Sequence, residues 1–187
     1  LLLLSTPGFA QQTPDHERTL LFLNPSGTLY MANVSTKGVR IPQASLAPGK
    51  QVRRFRVSPD GRIGLLETAN AKGVLAAWTL DLASRRSRLL GQGLLVPNDG
   101  ASPFAPDGRR VALRHQNRDE VVILSANTGQ VLHTLSIPGI CEAPAWFGDA
   151  RHIAVPTQLP TGRSAIAIWD AVSGSLRREA LKDATRV

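Results

Sequence analysis

Carboxylates recur along this 187-residue sequence at spacings that raise the question of acid–base chemistry. Asp60, Asp107 and Asp149 are separated by 47 and 42 residues, and each stands in a short turn between apolar runs. In a Pro-Asp-Gly turn, proline presets φ, aspartate bonds to its own backbone and glycine accepts a positive φ. The repetition therefore predicts aspartates that shape turns and take no part in catalysis. The predicted turn residues are Pro59, Asp60, Gly61, Pro106, Asp107, Gly108 and Asp149.

The histidines and the single cysteine give no local signature of a metal site or a nucleophile. His16, His115, His133 and His152 are never two or four residues apart, so the sequence holds no local metal-binding pair. Cys141 has no partner for an internal disulfide, and no His or Asp lies near it in the sequence. We expect a small buried side chain at Cys141 and a packed or rim position for His152. A metal site assembled from distant repeats is left open.

No recognised catalytic or cofactor motif is present. The sequence contains no Gly-x-Ser-x-Gly elbow, phosphate loop, dinucleotide fingerprint, His-Glu-x-x-His pair or calcium loop. Its nearest glycine-rich segment, Gly91-Gln92-Gly93, lacks a third glycine and a following helical pattern. We therefore assign no catalytic residue, no cofactor and no metal.

The chain repeats itself with a period in the mid-forties. Three times an apolar strand leads through a turn to a second strand, and then through a loop to a third strand that ends at Asp81, Ser125 or Asp170. These ends are separated by 44 and 45 residues, and residues 20–39 hold an earlier, degenerate copy. Frequent glycine and proline disfavour helix. The pattern predicts an all-β protein of four units: residues 19–48, 49–97, 98–139 and 140–187.

The apolar runs of the repeats are short and nearly continuous, as in residues 111–113 and 153–155. Runs of this kind are typical of strands whose sheet is buried on both faces. We therefore expect each unit to pack between its neighbours. Trp78, Trp146 and Trp169 are expected to fill these contacts and not to form a platform for a sugar or cofactor.

Several of these residues resemble known β-propeller repeats. Residues 58–62 (Ser-Pro-Asp-Gly-Arg) and 144–146 (Pro-Ala-Trp) are similar to TolB-type propellers, and Ile168-Trp169-Asp170 before Ser173-Gly174 is similar to the WD repeat. The likeness covers residues 20–182 and implies a propeller of four-stranded antiparallel blades. The Gly-His pair that opens the WD repeat is absent, so no hydrogen-bond network built on that histidine is expected.

The resemblance also indicates how much of a propeller ring this chain contains. Propellers of this family usually have about six to eight blades, so about four blades imply an incomplete ring. Further blades or another domain are then expected in the same polypeptide. A closed four-bladed ring or a dimer of half-rings is the alternative, because open sheet edges invite aggregation.

Basic residues exceed acidic ones, giving a formal charge of +8 and a pI of about 11.0. They are mostly arginines beside turns, without the aromatic platform or lysine-rich tail of a nucleic-acid surface, so no nucleic-acid partner is expected. In four-stranded blades the first and third turns emerge on one face. That face should attract an acidic partner surface or anionic lipid headgroups. Its residues are Arg62, Arg85, Arg86, Arg109, Arg110 and Arg151. The longer loops on the opposite face are the better candidate for a specific ligand.

The first ten residues are typical of the end of a secretory signal peptide. Four leucines lead to the small residue Ala10, and a polar, proline-containing stretch follows. We read residues 1–18 as a signal-peptide remnant and linker, with a frayed apolar terminus as the alternative. No later stretch approaches the about 20 apolar residues of a membrane helix. The expected location is periplasmic or secreted.

The sequence predicts a non-catalytic propeller scaffold that binds a protein or another ligand in the bacterial cell envelope. Fold alone does not assign function, so a second class stays open. The alternative is the propeller domain of a secreted or periplasmic enzyme, resembling a serine peptidase, a lactonase or a quinoprotein, whose catalytic part is missing from this chain. A downstream Gly-x-Ser-x-Gly would select the peptidase, and bound metal in the complete protein would select the lactonase or quinoprotein class.

Overall fold

The computed structural model describes residues 18–24, 26–35, 38–40, 51–97, 101–137, 140–159 and 161–179. Within these ranges the chain forms strands and turns, and no helix is found. The all-β class predicted from the repeat is confirmed. The predicted signal-peptide remnant lies outside the described residues except for Arg18, and so do His16 and the side chain of Cys141.

The strands form four antiparallel sheets that follow one another along the chain. Sheet 1 contains β1 (Arg18–Leu23), β2 (Leu29–Ser35) and β3 (Gly38–Arg40). Sheet 2 contains β4 (Val52–Val57), β5 (Ile63–Ala69), β6 (Leu75–Asp81) and β7 (Ser87–Gln92). Sheet 3 contains β8 (Leu94–Leu95), β9 (Arg110–His115), β10 (Glu120–Ser125) and β11 (Val131–Ser136). Sheet 4 contains β12 (Ile140–Cys141), β13 (Ala145–Trp146), β14 (His152–Gln158), β15 (Ser164–Asp170) and β16 (Ser175–Glu179), with both β12 and β13 paired to β14.

The first turns of sheets 2, 3 and 4 share one hydrogen-bond pattern. Asp60, Asp107 and Asp149 each accept, through Oδ1, the backbone N–H of the residue two positions later, at 3.1, 2.9 and 2.9 Å. A short aspartate side chain bonded to its own turn in this way stabilises the chain reversal. The repetition of these carboxylates along the sequence therefore has a backbone cause.

Two side chains occupy left-handed backbone positions that other repeats fill with glycine. Ala150, at φ 54°, stands where the first turns of sheets 2 and 3 have Gly61 and Gly108. Arg85, at φ 59°, stands in the third turn of sheet 2, where the corresponding turns of sheets 3 and 4 have glycine. Residues with a Cβ pay a steric cost in this region.

Side chains on a strand alternate between two neighbouring sheets. On β5, Leu65 belongs to a buried cluster shared with sheet 3, whereas Leu66 belongs to one shared with Leu29 of sheet 1. On β9, Leu113 packs in the cluster shared with sheet 2, and Ala112 packs in the cluster shared with sheet 4. Because successive side chains of a strand point to opposite faces, this places sheets 2 and 3 between two neighbours each. The four sheets therefore stack face to face in chain order.

Sheet 4 is buried on one face only within the described part of the chain. Ile153 and Val155 of β14 are fully buried toward sheet 3, whereas Ala154 and Pro156 between them stay half-buried. In contrast, β5 is buried at every position from Ile63 to Thr68. The outer face of sheet 4 is therefore less buried than either face of sheet 2.

Candidate functional site

The first strands of sheets 3 and 4 are interrupted, and the interruptions open a cleft. In sheet 3, β8 ends at Leu95 and pairing with β9 resumes only at the Phe104 bridge. In sheet 4, β12 ends at Cys141 and pairing with β14 resumes at Ala145. Prolines stand in both gaps, at positions 97 and 144, where their missing N–H weakens a ladder.

The cleft has a volume of about 460 Å³. We call it the first-strand cleft, since its walls come from the first strands of sheets 2, 3 and 4 and the residues beside them. Its lining residues are Arg54, Leu95, Val96, Pro97, Arg114, Glu142 and Ala143. The volume lies within the roughly 300–1,000 Å³ of small-ligand sites, and apolar walls with a few polar groups are typical of them.

The first-strand cleft opens on the face opposite the aspartate turns. Arg54 pairs in register with Glu67, close to the second turn of sheet 2, and Leu95 pairs with Arg114 close to the second turn of sheet 3. The first and third turns lie at the other ends of these strands. The cleft is therefore on the loop-bearing face that the sequence favours for a specific ligand.

A buried carboxylate, that of Glu67, lies next to the cleft and contacts two of its lining residues. The side chain of Glu67 is 1% exposed, and its Oε2 accepts the backbone N–H of Val96 at 2.9 Å. Arg54 Nη1 lies 3.5 Å from the same oxygen and donates to the carbonyl oxygen of Val96 at 3.2 Å. A buried charge is tolerated when it is paired and hydrogen-bonded. This network fixes the chain at the point where the first strand of sheet 3 breaks off.

The remaining polar side chains of the cleft are a cation and an anion without ion-pair partners among the described residues. The Nε of Arg114 is buried and has no hydrogen-bond partner. Glu142, on the wall from sheet 4, is exposed, and no ion pair joins it to Arg114. Buried donors without acceptors are uncommon and costly in proteins. The cleft therefore presents an unused guanidinium donor opposite a free carboxylate.

This site was not predicted from the sequence, although the sequence contains one signal of it. Glu67 interrupts an otherwise apolar run on β5, a strand predicted to be buried on both faces. A charged residue at such a position is rare unless it is paired, so it indicates a buried polar contact. Nothing local in the sequence links it to Val96 or to Glu142.

The predicted basic face is only partly free. Arg110 has an 18% exposed side chain, donates to the Ala150 carbonyl oxygen and lies 5.4 Å from the centre of the Trp146 ring. Arg151 binds Asp170, with 2.6 Å between Nη2 and Oδ2 and 2.8 Å between Nε and Oδ2. Both arginines thus make contacts within the fold, although the side chain of Arg151 is still 58% exposed, and the predicted basic binding face stays a prediction.

The other predicted arginines of this face are exposed: Arg62, Arg85, Arg86 and Arg109. Aspartates of the first and third turns stand among them: Asp60, Asp81, Asp107, Asp149 and Asp170. The face therefore carries charges of both signs. We call these four exposed arginines the arginine face.

Two aspartates of these turns have strongly lowered pKa values. Arg151 holds the pKa of Asp170 well below its usual value of 3.8, with backbone N–H groups of Val172 and Ser173 assisting. The bond to His152, 2.6 Å between Oδ2 and Nδ1, lowers the pKa of Asp149 to about 2. Both carboxylates are therefore ionised anchors of their turns at neutral pH.

The three tryptophans pack within or between sheets. Trp78 lies against the cluster between sheets 1 and 2, and its Nε1 donates to Thr68 at 3.0 Å. Trp146 packs between sheets 3 and 4 and donates to the Pro103 carbonyl oxygen at 2.9 Å. Trp169 is 9% exposed in the same cluster. None of the three lines the first-strand cleft.

The described histidines are dispersed. His152 binds Asp149, and a ring nitrogen of His133 lies 3.1 Å from the Val172 carbonyl oxygen in the next sheet. His115 sits against the Cα of Gly93, where an added Cβ would lie 2.8 Å from Nε2. Among the residues that the structure describes, no group of three or more His, Cys, Asp or Glu side chains is placed to hold a metal ion.

Solved structures show what this fold is, whereas no family model and no curated protein matches the chain. TolB from Acinetobacter baumannii is 19% identical with a TM-score of 0.54, over 88% of this chain and 41% of that chain. The β-propeller domain of the Trilobed protease from Pyrococcus furiosus is 17% identical with a TM-score of 0.58, over 88% of this chain and 53% of that chain. The WD40 repeats of RRP9 are 13% identical with a TM-score of 0.51, over 73% of this chain and 40% of that chain.

The four sheets are therefore blades of a β-propeller like those of TolB-like and WD40 proteins, as the sequence resemblance implies. At these identities the likeness concerns the fold alone. The chain spans between 40% and 53% of the length of these three structures. In the described part of the chain, nothing helical is long and apolar enough to cross a bilayer.

Proposed function

We propose that this chain is a non-catalytic β-propeller scaffold that binds a protein or another ligand in the bacterial cell envelope. The observation that carries the proposal is the first-strand cleft, in which three blades bring apolar walls together with Arg54, Arg114 and Glu142. Concave sites with a few convergent polar groups are typical of specific binding. The likeness to TolB supports the propeller fold on which such a scaffold would be built.

The proposed location rests on the N-terminal sequence. The four leucines, Ala10 and the polar stretch after them are typical of a secretory signal peptide. We further propose additional blades or another domain in the same polypeptide. The half-buried outer face of sheet 4 supports this, because the equivalent faces of sheets 2 and 3 are covered by a neighbouring sheet.

Site-specific photo-crosslinking in cells tests the scaffold proposal. A photoreactive phenylalanine analogue replaces Ala143 in the first-strand cleft of the complete protein, and the matched control carries it at Val131, an exposed residue of the outer strand β11. We expect a discrete crosslinked partner at position 143 that also binds the purified protein. The same pattern from both positions, or no partner at either, would contradict the proposal.

A second candidate is the propeller domain of a secreted or periplasmic enzyme. It is favoured by the likeness to the Trilobed protease domain and to the tricorn protease, which is 15% identical with a TM-score of 0.58 over 88% of this chain and 16% of that chain. The complete reading frame discriminates the two functions. A downstream Gly-x-Ser-x-Gly, with labelling of the complete protein by a fluorophosphonate probe, would select a serine hydrolase.

The arginine face is proposed as a second contact surface, for an acidic partner or anionic lipid headgroups. Four exposed arginines support it, and the aspartates among them limit its strength. Changing Arg62, Arg85, Arg86 and Arg109 together to Ser should weaken binding that is sensitive to salt. Binding that is indifferent to both the substitutions and salt would remove this surface from the account.

A further inference from the structure

We propose that the first-strand cleft binds the carboxylate of a peptide segment, with Arg114 as its hydrogen-bond donor. The inference rests on the proposed function, since it names the chemistry that such a binding scaffold recognises. It goes beyond that function by assigning one residue and one functional group to the site.

The first step is the unused donor. Arg114 Nε is buried and unpartnered, although the guanidinium cannot lose its charge at any relevant pH. Water is a neutral acceptor and leaves the guanidinium charge unpaired, whereas a carboxylate adds an ion pair and can accept two parallel N–H bonds. Arg114 lines the cleft, so a ligand carboxylate there would accept from the terminal Nη groups of the guanidinium, because the shielded Nε is out of its reach.

The second step separates the roles of the two arginines. Arg54 is already committed, since its Nη1 faces both Glu67 and the Val96 carbonyl oxygen. The charge of Arg54 is therefore balanced by a buried partner, whereas no carboxylate of the described residues forms an ion pair with Arg114. The cleft has one uncommitted positive charge to offer a ligand.

The third step selects the class of anion. Glu142 lines the same cleft and opposes negative charge. A phosphate dianion costs more to remove from water than a carboxylate does, and one uncommitted cation beside an opposing carboxylate does not offset that cost. A single carboxylate needs only the one guanidinium, and Glu142 is left to receive an N–H or ammonium group of the same ligand. A peptide carries both kinds of group.

The apolar walls fit the same class of ligand. Leu95 and Ala143 offer part-exposed apolar surface beside the charged groups, and the volume of about 460 Å³ admits a few small residues but no bulky partner domain. Burial of apolar side chains against these walls would supply affinity, and the carboxylate would supply orientation. A carboxylate at a chain end or on an acidic side chain satisfies this chemistry.

Calorimetric titration of the complete protein with four probes tests the inference. The probes are acetyl-Ala-Ala-Asp amide, acetyl-Ala-Ala-Ala with a free carboxyl terminus, acetyl-Ala-Ala-Asn amide, and inorganic phosphate. We expect a carboxylate peptide to bind about tenfold or more tightly than the Asn peptide, as for one charge-assisted hydrogen bond. The first two probes separate a side-chain carboxylate from a terminal one.

Variants on two walls make the result specific. Arg114→Gln should abolish the preference for the carboxylate peptide, whereas Arg177→Gln, the same change at an exposed residue of the outer strand β16, should retain it. Glu142→Gln alters an exposed side chain and should strengthen carboxylate binding several-fold, because it removes an opposing charge. An Arg114→Gln protein that keeps the preference, binding of both carboxylate peptides no tighter than that of the Asn peptide, or tighter binding of phosphate would overturn the inference.

The outcome is separable from that of the scaffold proposal. Crosslinks at position 143 together with failed peptide binding would remove the carboxylate assignment and leave the scaffold in place. Carboxylate binding without any crosslinked partner would keep the site and remove the protein-binding role.

Discussion

Glu67 of sheet 2, which is blade 2 of the propeller, accepts the backbone N–H of Val96 of blade 3 (sheet 3), with 2.9 Å between Oε2 and the nitrogen. This single contact joins two blades at the point where the first strand of blade 3 leaves its sheet. It also holds Arg54 against the wall of the cleft. The stability of the junction and the shape of the site therefore depend on the same buried carboxylate.

The first prediction concerns this carboxylate. Glu67→Ala leaves the Val96 N–H without its acceptor and opens a small cavity, so we expect the free energy of unfolding to fall by about 2–4 kcal/mol. Urea denaturation measures it. Glu120→Ala removes a carboxylate from a partly exposed pair and should cost under about 0.5 kcal/mol. Equal costs at the two positions would contradict the role of Glu67.

Substitutions of the adjacent residues Arg109 and Arg110 should differ sharply in their effect on the stability of the protein. Arg110→Ala removes the bond to the Ala150 carbonyl oxygen and the stacking on Trp146, so it should destabilise the protein by about 1–2 kcal/mol. The side chain of Arg109 is exposed, and Arg109→Ala should have almost no effect. Thermal unfolding of the two variants compares them directly, and a larger loss at Arg109 would refute the packing of Arg110 between blades 3 and 4.

The left-handed residues predict a gain in stability. Ala150→Gly and Arg85→Gly relieve the steric cost of a Cβ at φ 54° and 59°, and we expect each to stabilise the protein by about 0.5–1 kcal/mol. Ala154→Gly, the same change in the extended strand β14, should destabilise it. Denaturation midpoints provide the measurement. Loss of stability in all three variants would argue against the turn geometry.

The turns of blade 4 predict sensitivity to acid. Asp149 and Asp170 bind protons less readily in the fold than at their usual pKa of 3.8. Their stabilising effect is therefore complete above about pH 5 and is lost as the pH falls through the lowered values. The melting temperature should drop between about pH 5 and pH 2, and it should drop less in Asp149→Asn/Asp170→Asn. An identical acid dependence in this variant would contradict the assignment.

The fold was accessible from the sequence because its signals are local. An aspartate turn, a short apolar strand and a polar loop recur about every 45 residues, and each signal depends on a few neighbouring residues. Even the turn of blade 4, where Ala150 replaces glycine, keeps Asp149 and its bond to Arg151 N. The turn therefore still forms when one of its favoured residues, the glycine, is replaced.

The cleft was not accessible in the same way, because it is assembled from three blades. Arg54, Arg114 and Glu142 are separated along the chain by 60 and 28 residues, and no turn or strand pattern relates them. The contacts made by the arginines of the predicted basic face depend on packing between blades in the same way. Whether Arg110 faces solvent or packs against Trp146 depends on how blade 4 sits beside blade 3, which the sequence of one blade does not specify.

The most direct test of the account is a backbone-amide NMR titration of the isotope-labelled protein with acetyl-Ala-Ala-Asp amide and acetyl-Ala-Ala-Ala. We predict that, with at least one of these carboxylate peptides, the largest shift changes fall at Val96, Arg114 and Glu142, around the first-strand cleft. Shift changes concentrated in the turns at residues 59–62, 106–109 and 149–151, or none at the cleft with either peptide, would contradict the claim that this propeller binds its ligand between the first strands.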